Sequence, residues 1–166
     1  MMLPDAAELC TRLAETVRPA IGRDTVLVGI HRGGVWVAER LHAALALSTP
    51  LGTMDVSFHR DDHHLAGTSL KPGGRRTLLP GTIVDAHIVL VDDVLYTGRT
   101  VRAALNELFD YGRPARVDLA VLVDRGGREL PICAQWAAAQ LSLPASDKLV
   151  LERAADGQLH FEVKPR

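Results

Sequence analysis

The sequence has little of several features that would each point to a particular class of protein. It contains two cysteines in 166 residues, Cys10 and Cys133, whose spacing fits neither a disulfide framework nor a metal motif. Its formal net charge is −1, so no overall field favours a polyanion. No apolar run approaches the ~18 residues of a membrane span. Together with an apolar fraction of 47%, these absences predict a cytoplasmic globular protein with one domain over residues 1–166.

The N-terminal segment has the period of an amphipathic helix and not the continuous apolar core of a signal peptide. Apolar residues recur at i, i+3, i+4 and i+7 from Ala6 to Val17. Asp5 precedes them as an N-cap residue, and Pro19 follows the last turn. The spacing therefore predicts a first helix over residues 6–17.

Three largely apolar runs are typical of strands that are buried on both faces of a sheet: Thr25–Ile30, Ile88–Val91 and Val117–Val123. A further run with period 2, Met54–Phe58, also predicts a strand. Turns and helical patterns alternate with these runs, which predicts an α/β fold with a mostly parallel sheet flanked by helices. In such folds ligands bind at the carboxyl ends of the strands.

Two segments stand outside that alternation. Residues 59–81 are polar and have no steady period, and a loop of this length in a compact domain is usually functional, so we predict a flap. Its histidines and aspartates leave a zinc or iron site open as an interpretation, although a solvated loop explains them as well. Near the C-terminus, Leu149–Glu152 and Leu159–Val163 flank an Asp-Gly pair and predict a β-hairpin.

Paired carboxylates, Asp92 and Asp93, follow the second apolar run, and the small-residue turn Thr97–Thr100 follows them. The amides at the start of a helix can bind a phosphate, and Gly98 allows a close approach of the ligand. The turn lacks the Gly-Lys-Ser/Thr of a Walker A motif. The carboxylates suit a sugar diol instead, which predicts a sugar phosphate along this loop. A plain strand–helix turn with surface acids is the alternative.

The segment Ile88–Thr100 closely resembles the phosphoribosyl-diphosphate signature of type I phosphoribosyltransferases. It departs from that signature at Tyr96, where purine-salvage members often carry Asp. The resemblance implies that Asp92 and Asp93 favour positive charge at the anomeric carbon. It also implies a set of contacts to the ribose 5-phosphate part of phosphoribosyl diphosphate: Asp92, Asp93, Val94, Leu95, Tyr96, Thr97, Gly98, Arg99 and Thr100.

The same resemblance assigns the diphosphate to two other loops. His31, Arg32 and Gly33 would hold it from the turn after the first strand, and Arg60 would contact it from the flap. Arg32 would stabilise the leaving diphosphate, and the flap would exclude water. Mg²⁺ is the implied cofactor, carried by phosphoribosyl diphosphate and not by a protein site alone.

A third block, Val121–Ile132, narrows the resemblance to the PyrR family, whose members are pyrimidine-operon regulators and uracil phosphoribosyltransferases. The likeness runs from about Val26 to Leu149. It implies that uracil lies over Asp124, Arg125 and Gly126 and is converted to UMP, and that the protein forms a homo-oligomer. A surface ion pair between Asp124 and Arg125 is the alternative interpretation of that loop.

The resemblance also implies UMP-dependent binding to pyrimidine leader mRNA, that is, regulation by attenuation. Three positions depart from the basic or histidine residues of Gram-positive members: Glu15, Gly127 and Cys133. Each removes a donor or a positive charge that RNA binding would use. Five arginines, Arg12, Arg18, Arg23, Arg116 and Arg128, can still form a basic patch or can simply be solvated. An RNA-binding regulator or a nucleotide sensor with little catalysis therefore stays open as an alternative.

Overall fold

A computed structural model describes residues 3–56 and 77–166 of the chain. Its helices are α1 (Ala6–Val17), α2 (Gly33–Leu45) and α3 (Arg99–Tyr111), and a 3-10 turn at Arg18–Ala20 follows α1. The strands of the described part are β1 (Val26–Ile30), β2 (Gly52–Met54), β3 (His87–Leu95), β4 (Arg116–Asp124), β5 (Trp136–Gln140), β6 (Asp147–Arg153) and β7 (Leu159–Pro165).

Strands β1 to β5 form one sheet in the order β2-β1-β3-β4-β5, and every neighbouring pair is parallel. Strands β6 and β7 form a separate antiparallel pair. The predicted mostly parallel sheet and C-terminal hairpin are therefore confirmed. Because the strands of the main sheet run the same way, their carboxyl ends and the loops that follow them lie along one edge.

Helices cover both faces of the sheet, as predicted. Alternate residues of a strand point to opposite faces. Leu27 and Val89 belong to a buried cluster with α1 and α2, whereas Val28 and Leu90 belong to a second cluster with α3. Burial on both faces explains why these strands consist of continuous apolar runs.

Helix α1 begins and ends where its pattern predicts. The side-chain oxygen Oδ1 of Asp5 accepts a hydrogen bond of 2.8 Å from the amide of Glu8, a cap that is worth about 1 kcal/mol. Leu9, Leu13 and Val17 form the buried stripe of the helix. In the described residues, no helix is long and apolar enough to span a bilayer.

Cys10 lies on that stripe, and its environment leads to a prediction about thiol reactivity. Burial, opposed in part by the charge of Arg40, raises the pKa of the Cys10 thiol to about 11, whereas Cys133 is exposed. We expect about one equivalent of an aromatic disulfide reagent to react quickly with the native protein, and a second only after unfolding. Cys133→Ser should abolish the fast phase. Two fast equivalents in the native protein would contradict this assignment.

The strand that was predicted to end at Val91 continues to Leu95. Asp92, Val94 and Leu95 remain in register with β4, so the paired carboxylates lie on a strand and not in the loop after it. Polar residues ended the apolar run in the sequence, but the backbone pairing continues through them. The rigid part of the site is consequently longer than the sequence predicts.

The two outer strands of the sheet also differ from the prediction. Strand β2 spans Gly52–Met54 and pairs with β1, so it ends where the predicted run begins. Asp55 and Val56 lie beyond it, and Ser57 and Phe58 lie outside the described residues. Strand β5 was not predicted at all. It is mostly alanine, a weak strand former, and its place beside β4 is set by pairing and not by its own pattern.

The hairpin is attached to the face of the sheet that α1 and α2 cover. Leu149, Leu151 and Phe161 are buried in the same cluster as those helices. Nη2 of Arg40 on α2 also donates a 2.8 Å hydrogen bond to the carbonyl oxygen of Gly157 in the hairpin turn. This attachment places β6 beside the carboxyl ends of the main-sheet strands.

Candidate active site

A cleft of about 1470 Å³ lies at the carboxyl edge of the parallel sheet. The ends of β1 and β3, the first turns of α2 and α3, and strand β6 form its walls. The sequence-predicted residues in its lining are His31, Arg32, Gly33, Asp92, Asp93, Val94, Leu95, Tyr96, Thr97, Gly98, Arg99, Thr100 and Arg125. The fold thus brings loops that are distant in the sequence into one cleft.

Three other predicted residues are not among those that line it. Arg60, with most of the predicted flap, lies outside the described residues. Asp124 and Gly126 form a turn beside the cleft, in which Oδ1 of Asp124 accepts a 2.9 Å hydrogen bond from the Gly126 amide. Of the loop predicted to read uracil, only Arg125 reaches the cleft.

The two carboxylates stand at the centre of the cleft, on β3. Asp92 is 7% exposed, and its Oδ1 accepts a 3.0 Å hydrogen bond from the amide of Asp93. The Asp93 carboxylate lies against Gly33 at the start of α2. Strand β3 pairs with β1 as far as Val91 and with β4 as far as Leu95, so a central strand of the sheet carries both carboxylates.

Two glycines bring the start of α2 directly against β3. A Cβ atom on Gly33 would overlap the Asp93 carboxylate, and one on Gly34 would overlap the carbonyl oxygen of Val91 and lie 2.9 Å from Cα of Asp92. Arg32, the N-cap residue of α2, lines the same cleft as the two acids. A cleft lined by a guanidinium and two carboxylates suits a ligand that carries both an anionic group and hydroxyls.

The N-terminus of α3 forms another wall of the cleft. Gly98 is its N-cap residue, with a left-handed φ of 92°, and the Arg99 amide donates to Oγ1 of Thr97 over 3.3 Å. The amide of Glu129 donates to the carbonyl oxygen of Thr97 and supports the turn from behind. First-turn amides and threonine hydroxyls facing a cleft suit a phosphate group.

Arg99, in the same turn, forms an ion pair. Its Nε donates to Oε2 of Glu129 over 2.8 Å, and both side chains are about half exposed. Part of the positive charge near the turn is therefore already matched by a carboxylate. The phosphate would depend mainly on the backbone and the threonines.

At the end of the cleft next to the hairpin, two guanidinium groups lie against the ring of Tyr96. The Cζ atom of Arg125 is 4.0 Å from the ring centroid, and that of Arg166 is 4.5 Å away. Arg125 is buried and donates to the carbonyl oxygens of Asp147 and Pro144. It therefore joins the cleft to the start of β6 and does not form the surface ion pair considered for it.

Asp124 pairs with Arg128 instead. Arg128, one of the five arginines considered for a basic patch, also donates to the carbonyl oxygens of Tyr96, over 2.7 Å, and Ile132, over 2.8 Å. It is thus an internal brace that holds the loop after β4 against the end of β3. Its spacing of four residues from Asp124 was the only sequence signal for this role.

The charge state of Asp124 leads to a prediction about pH. Partial burial alone would raise the pKa of Asp124, but hydrogen bonds from Arg128 and the Gly126 amide outweigh it, so the pKa lies below its ordinary 3.8. A lowered folded-state pKa stabilises the protein above 3.8, and this contribution is lost as pH falls through the folded-state value. Asp124→Asn should lower the free energy of unfolding by about 1–3 kcal/mol at neutral pH.

Urea unfolding of both proteins at about pH 7 and about pH 2.5 measures this effect. The difference between wild type and variant should shrink at the lower pH. A difference of equal size at both values would mean that the carboxylate charge does not contribute. Asp24→Asn, which changes an exposed carboxylate, should have little effect at either pH.

Sequence reasoning missed several residues of the cleft, among them Trp36, Asp55, Lys148, Glu152 and Arg166. The hairpin itself was predicted, but no local pattern indicates that β6 faces the ligand loops. Trp36 lies on α2, one turn after Gly33, and its position follows only from the helix start. These residues are brought to the cleft by tertiary packing.

The chain resembles known proteins over most of its length. A sequence profile described as "Phosphoribosyl transferase domain" matches residues 3–144. The chain is 50% identical over 155 residues to the "Bifunctional protein PyrR" of Pseudomonas paraeruginosa, covering 91% of this chain and 90% of that protein. It is 46% identical over 166 residues to the protein of the same name from Pseudomonas fluorescens, covering 98% of each.

Solved structures show the same architecture. The hypoxanthine phosphoribosyltransferase of Trypanosoma cruzi aligns with a TM-score of 0.64 at 21% identity, covering 88% of this chain and 83% of that one. A hypoxanthine phosphoribosyltransferase from Staphylococcus aureus aligns with a TM-score of 0.61 at 20% identity, covering 83% and 73%. At this identity the likeness concerns the fold, and it confirms the type I phosphoribosyltransferase architecture.

Proposed function

The chain belongs to the PyrR family of phosphoribosyltransferases, and from this membership we propose that it converts uracil and phosphoribosyl diphosphate into UMP and diphosphate. One observation carries the proposal. A single cleft brings together a helix N-terminus for a phosphate, two carboxylates for a diol and an arginine for a second anion. These three groups suit the three parts of phosphoribosyl diphosphate: the 5′-phosphate, the ribose diol and the diphosphate.

In the proposed complex the 5′-phosphate binds the Thr97–Thr100 turn, and the ribose lies over Asp92 and Asp93. The diphosphate then extends toward His31 and Arg32, on the side where Gly33 contacts β3. The remaining end of the cleft, which β6 and Arg125 border, is left for the base. Arg60 would make a further contact to the diphosphate.

The reaction exchanges one bond at the anomeric carbon for another. The bond to the diphosphate oxygen breaks, a bond to N1 of uracil forms, and the N1 proton is released to water. Arg32 stabilises the charge that develops on the departing diphosphate, while Asp92 and Asp93 favour the positive charge on the ribose. Much of the remaining acceleration comes from holding uracil in line with the anomeric carbon.

The residues of the cleft fit Mg²⁺ as a partner of the diphosphate. Mg²⁺ usually keeps several waters and takes one or two carboxylates together with substrate phosphates. Asp92 and Asp93 can supply such ligands, and across the described residues no group of three or more metal-binding side chains forms a site on its own. When bound, Mg²⁺ would neutralise charge on the diphosphate.

Incubation of the purified protein with phosphoribosyl diphosphate, Mg²⁺ and one of five bases tests the proposal. Uracil should give UMP with a far higher kcat/KM than hypoxanthine, guanine, adenine or orotate. A purine or orotate as the only good substrate would overturn the base assignment. Absence of turnover with every base would favour the nucleotide-sensor alternative.

A second candidate function is regulation through RNA, which the name "Bifunctional protein PyrR" of the relatives supports. Against it, four of the five arginines considered for a basic patch have protein partners. Arg12 bonds to Glu8, Arg18 to the carbonyl oxygen of Ala44, Arg116 to Asp118, and Arg128 to the carbonyl oxygen of Tyr96. A gel-shift titration with pyrimidine leader RNA plus UMP tests this role. An affinity for the leader RNA equal to that for a scrambled RNA would exclude it.

A further inference from the structure

The base end of the cleft is closed by an aromatic ring that is supported on several sides. Tyr96 follows β3 directly, and its carbonyl oxygen accepts a 2.7 Å hydrogen bond from Nη1 of Arg128. The ring lies so close to Gly127 that a Cβ atom there would be 2.9 Å from Cδ2 of Tyr96. Nη1 of Arg166 donates to the hydroxyl over 3.3 Å. Both the backbone and the ring of Tyr96 are therefore held.

Arg125 supports the ring as a fixed cation. It is 7% exposed, and its two terminal nitrogens donate to the carbonyl oxygens of Asp147, over 3.0 Å, and Pro144, over 3.3 Å. Its Nε is buried without a hydrogen-bond partner among the described residues. The ring of Tyr96 covers the guanidinium from 4.0 Å, a contact that is worth about 0.5–2 kcal/mol.

We propose that Tyr96 limits the base to a single ring, which makes the protein selective for pyrimidines over bicyclic purines. This inference rests on the proposed function and adds the residue that sets the class of base. With the phosphate at α3 and the diphosphate at α2, the part of the described lining that is left for the base includes Tyr96, Arg125 and β6. A ring held by Arg125, Arg128 and Gly127 cannot move aside for the second ring of a purine.

Removal of the ring would do more than create space. It would also uncover the guanidinium of Arg125, whose Nε has no hydrogen-bond partner among the described residues, as a charged donor at the enlarged end of the cleft. A 6-oxopurine presents acceptors at O6 and N7, so hypoxanthine or guanine would gain both room and a partner. Uracil, in contrast, would lose contact area along one edge.

Two variants at this position distinguish the contribution of the ring to base selectivity from that of its hydroxyl. Tyr96→Ala should shift the ratio of kcat/KM for uracil to that for hypoxanthine by about 10- to 100-fold toward hypoxanthine. Tyr96→Phe keeps the ring and removes only the hydroxyl contact to Arg166, so its ratio should stay within about threefold of wild type. Both bases are supplied together and the two nucleotides are quantified, so the ratio does not depend on the fraction of folded enzyme.

An unchanged ratio in Tyr96→Ala, with wild type forming UMP, would overturn this inference and leave the proposed function standing. Failure of wild type to form UMP would instead overturn the proposed function. If Tyr96→Ala does not fold, Tyr96→Leu retains apolar bulk and is tested in the same competition, with the same ratio expected to fall.

Fluorescence of Trp36, which lines the cleft, gives a second readout through the relative affinities for UMP and IMP. The preference for UMP over IMP should be lost in Tyr96→Ala or Tyr96→Leu and kept in Tyr96→Phe. An equal preference in wild type and all variants would contradict the proposal.

Discussion

Asp93→Asn is expected to lower kcat/KM for UMP formation by about 10²- to 10³-fold while the protein remains folded. The substitution keeps the shape of the side chain, and so preserves its packing against Gly33. In the proposed complex it removes the negative charge beside the positive charge that develops on the ribose. Because that charge develops only in the transition state, most of the loss should appear in kcat and less in KM.

Asp93 is a better test of this charge than Asp92. Asp92 is buried and accepts the amide hydrogen bond of Asp93, so Asp92→Asn would alter the geometry of the strand as well as the charge. Asp24→Asn is the matched control, because it removes an exposed carboxylate outside the cleft and should leave kcat/KM unchanged. Wild-type kcat in Asp93→Asn would exclude an electrostatic role for this carboxylate.

Much of the fold could be predicted because its signals are local. The period of α1, its N-cap Asp5 and the apolar runs of β1 and β4 lie within short segments, and each appears in the structure with bounds close to those predicted. A strand that is buried on both faces consists mostly of apolar residues wherever it lies in the sheet. Such elements are determined by their own residues.

The elements that were missed depend on their neighbours. Strand β5 is mostly alanine and is a strand because β4 offers it a partner, and β3 continues through Asp92 and Asp93 because β4 pairs with them. The polar pair Asp92-Asp93 indicated the end of a strand, and no pattern in the alanine-rich segment indicated a strand at all. Backbone pairing adds hydrogen bonds whatever the side chains are, so it overrides a weak local preference.

The candidate site also contains residues that local motifs predict and residues that only tertiary packing places. The turns at Arg32 and Thr97–Thr100 are contiguous motifs, and their residues line the cleft as a group. Arg125 was expected at the base, but its burial and its bonds to the start of β6 require the hairpin to be in place. The wall that β6 contributes has no counterpart in the motif, because its residues are far from it along the chain.

Gly34→Ala is expected to lower both activity and stability, although alanine is the better helix former. Gly34 lies in α2, where replacing Gly by Ala in an ordinary helix stabilises by about 1 kcal/mol. Here the added Cβ atom would overlap the carbonyl oxygen of Val91 and lie 2.9 Å from Cα of Asp92. Both neighbours are backbone atoms of the central strand, so the start of α2 has to move away from β3.

That movement separates Arg32 from Asp92 and Asp93, which is why the effect on catalysis should be large. A displacement of about 1 Å can cost about 10²-fold in rate, and forcing an extra methyl group into a packed contact costs about 1–3 kcal/mol. We expect kcat/KM to fall by at least about 10²-fold. Steady-state kinetics and thermal unfolding of the same preparation measure the two effects.

Gly22→Ala is the matched control for this substitution. Its Cβ atom would meet only Oγ1 of Thr25, at an ordinary contact distance of 3.8 Å, and its φ lies outside the left-handed region. The change should therefore alter stability by less than about 0.5 kcal/mol and leave kcat/KM as it is. Wild-type activity in Gly34→Ala would show that close contact between α2 and β3 is not what places Arg32 beside the carboxylates. A loss of activity in Gly22→Ala as large as in Gly34→Ala would point to a general sensitivity to alanine and not to this contact.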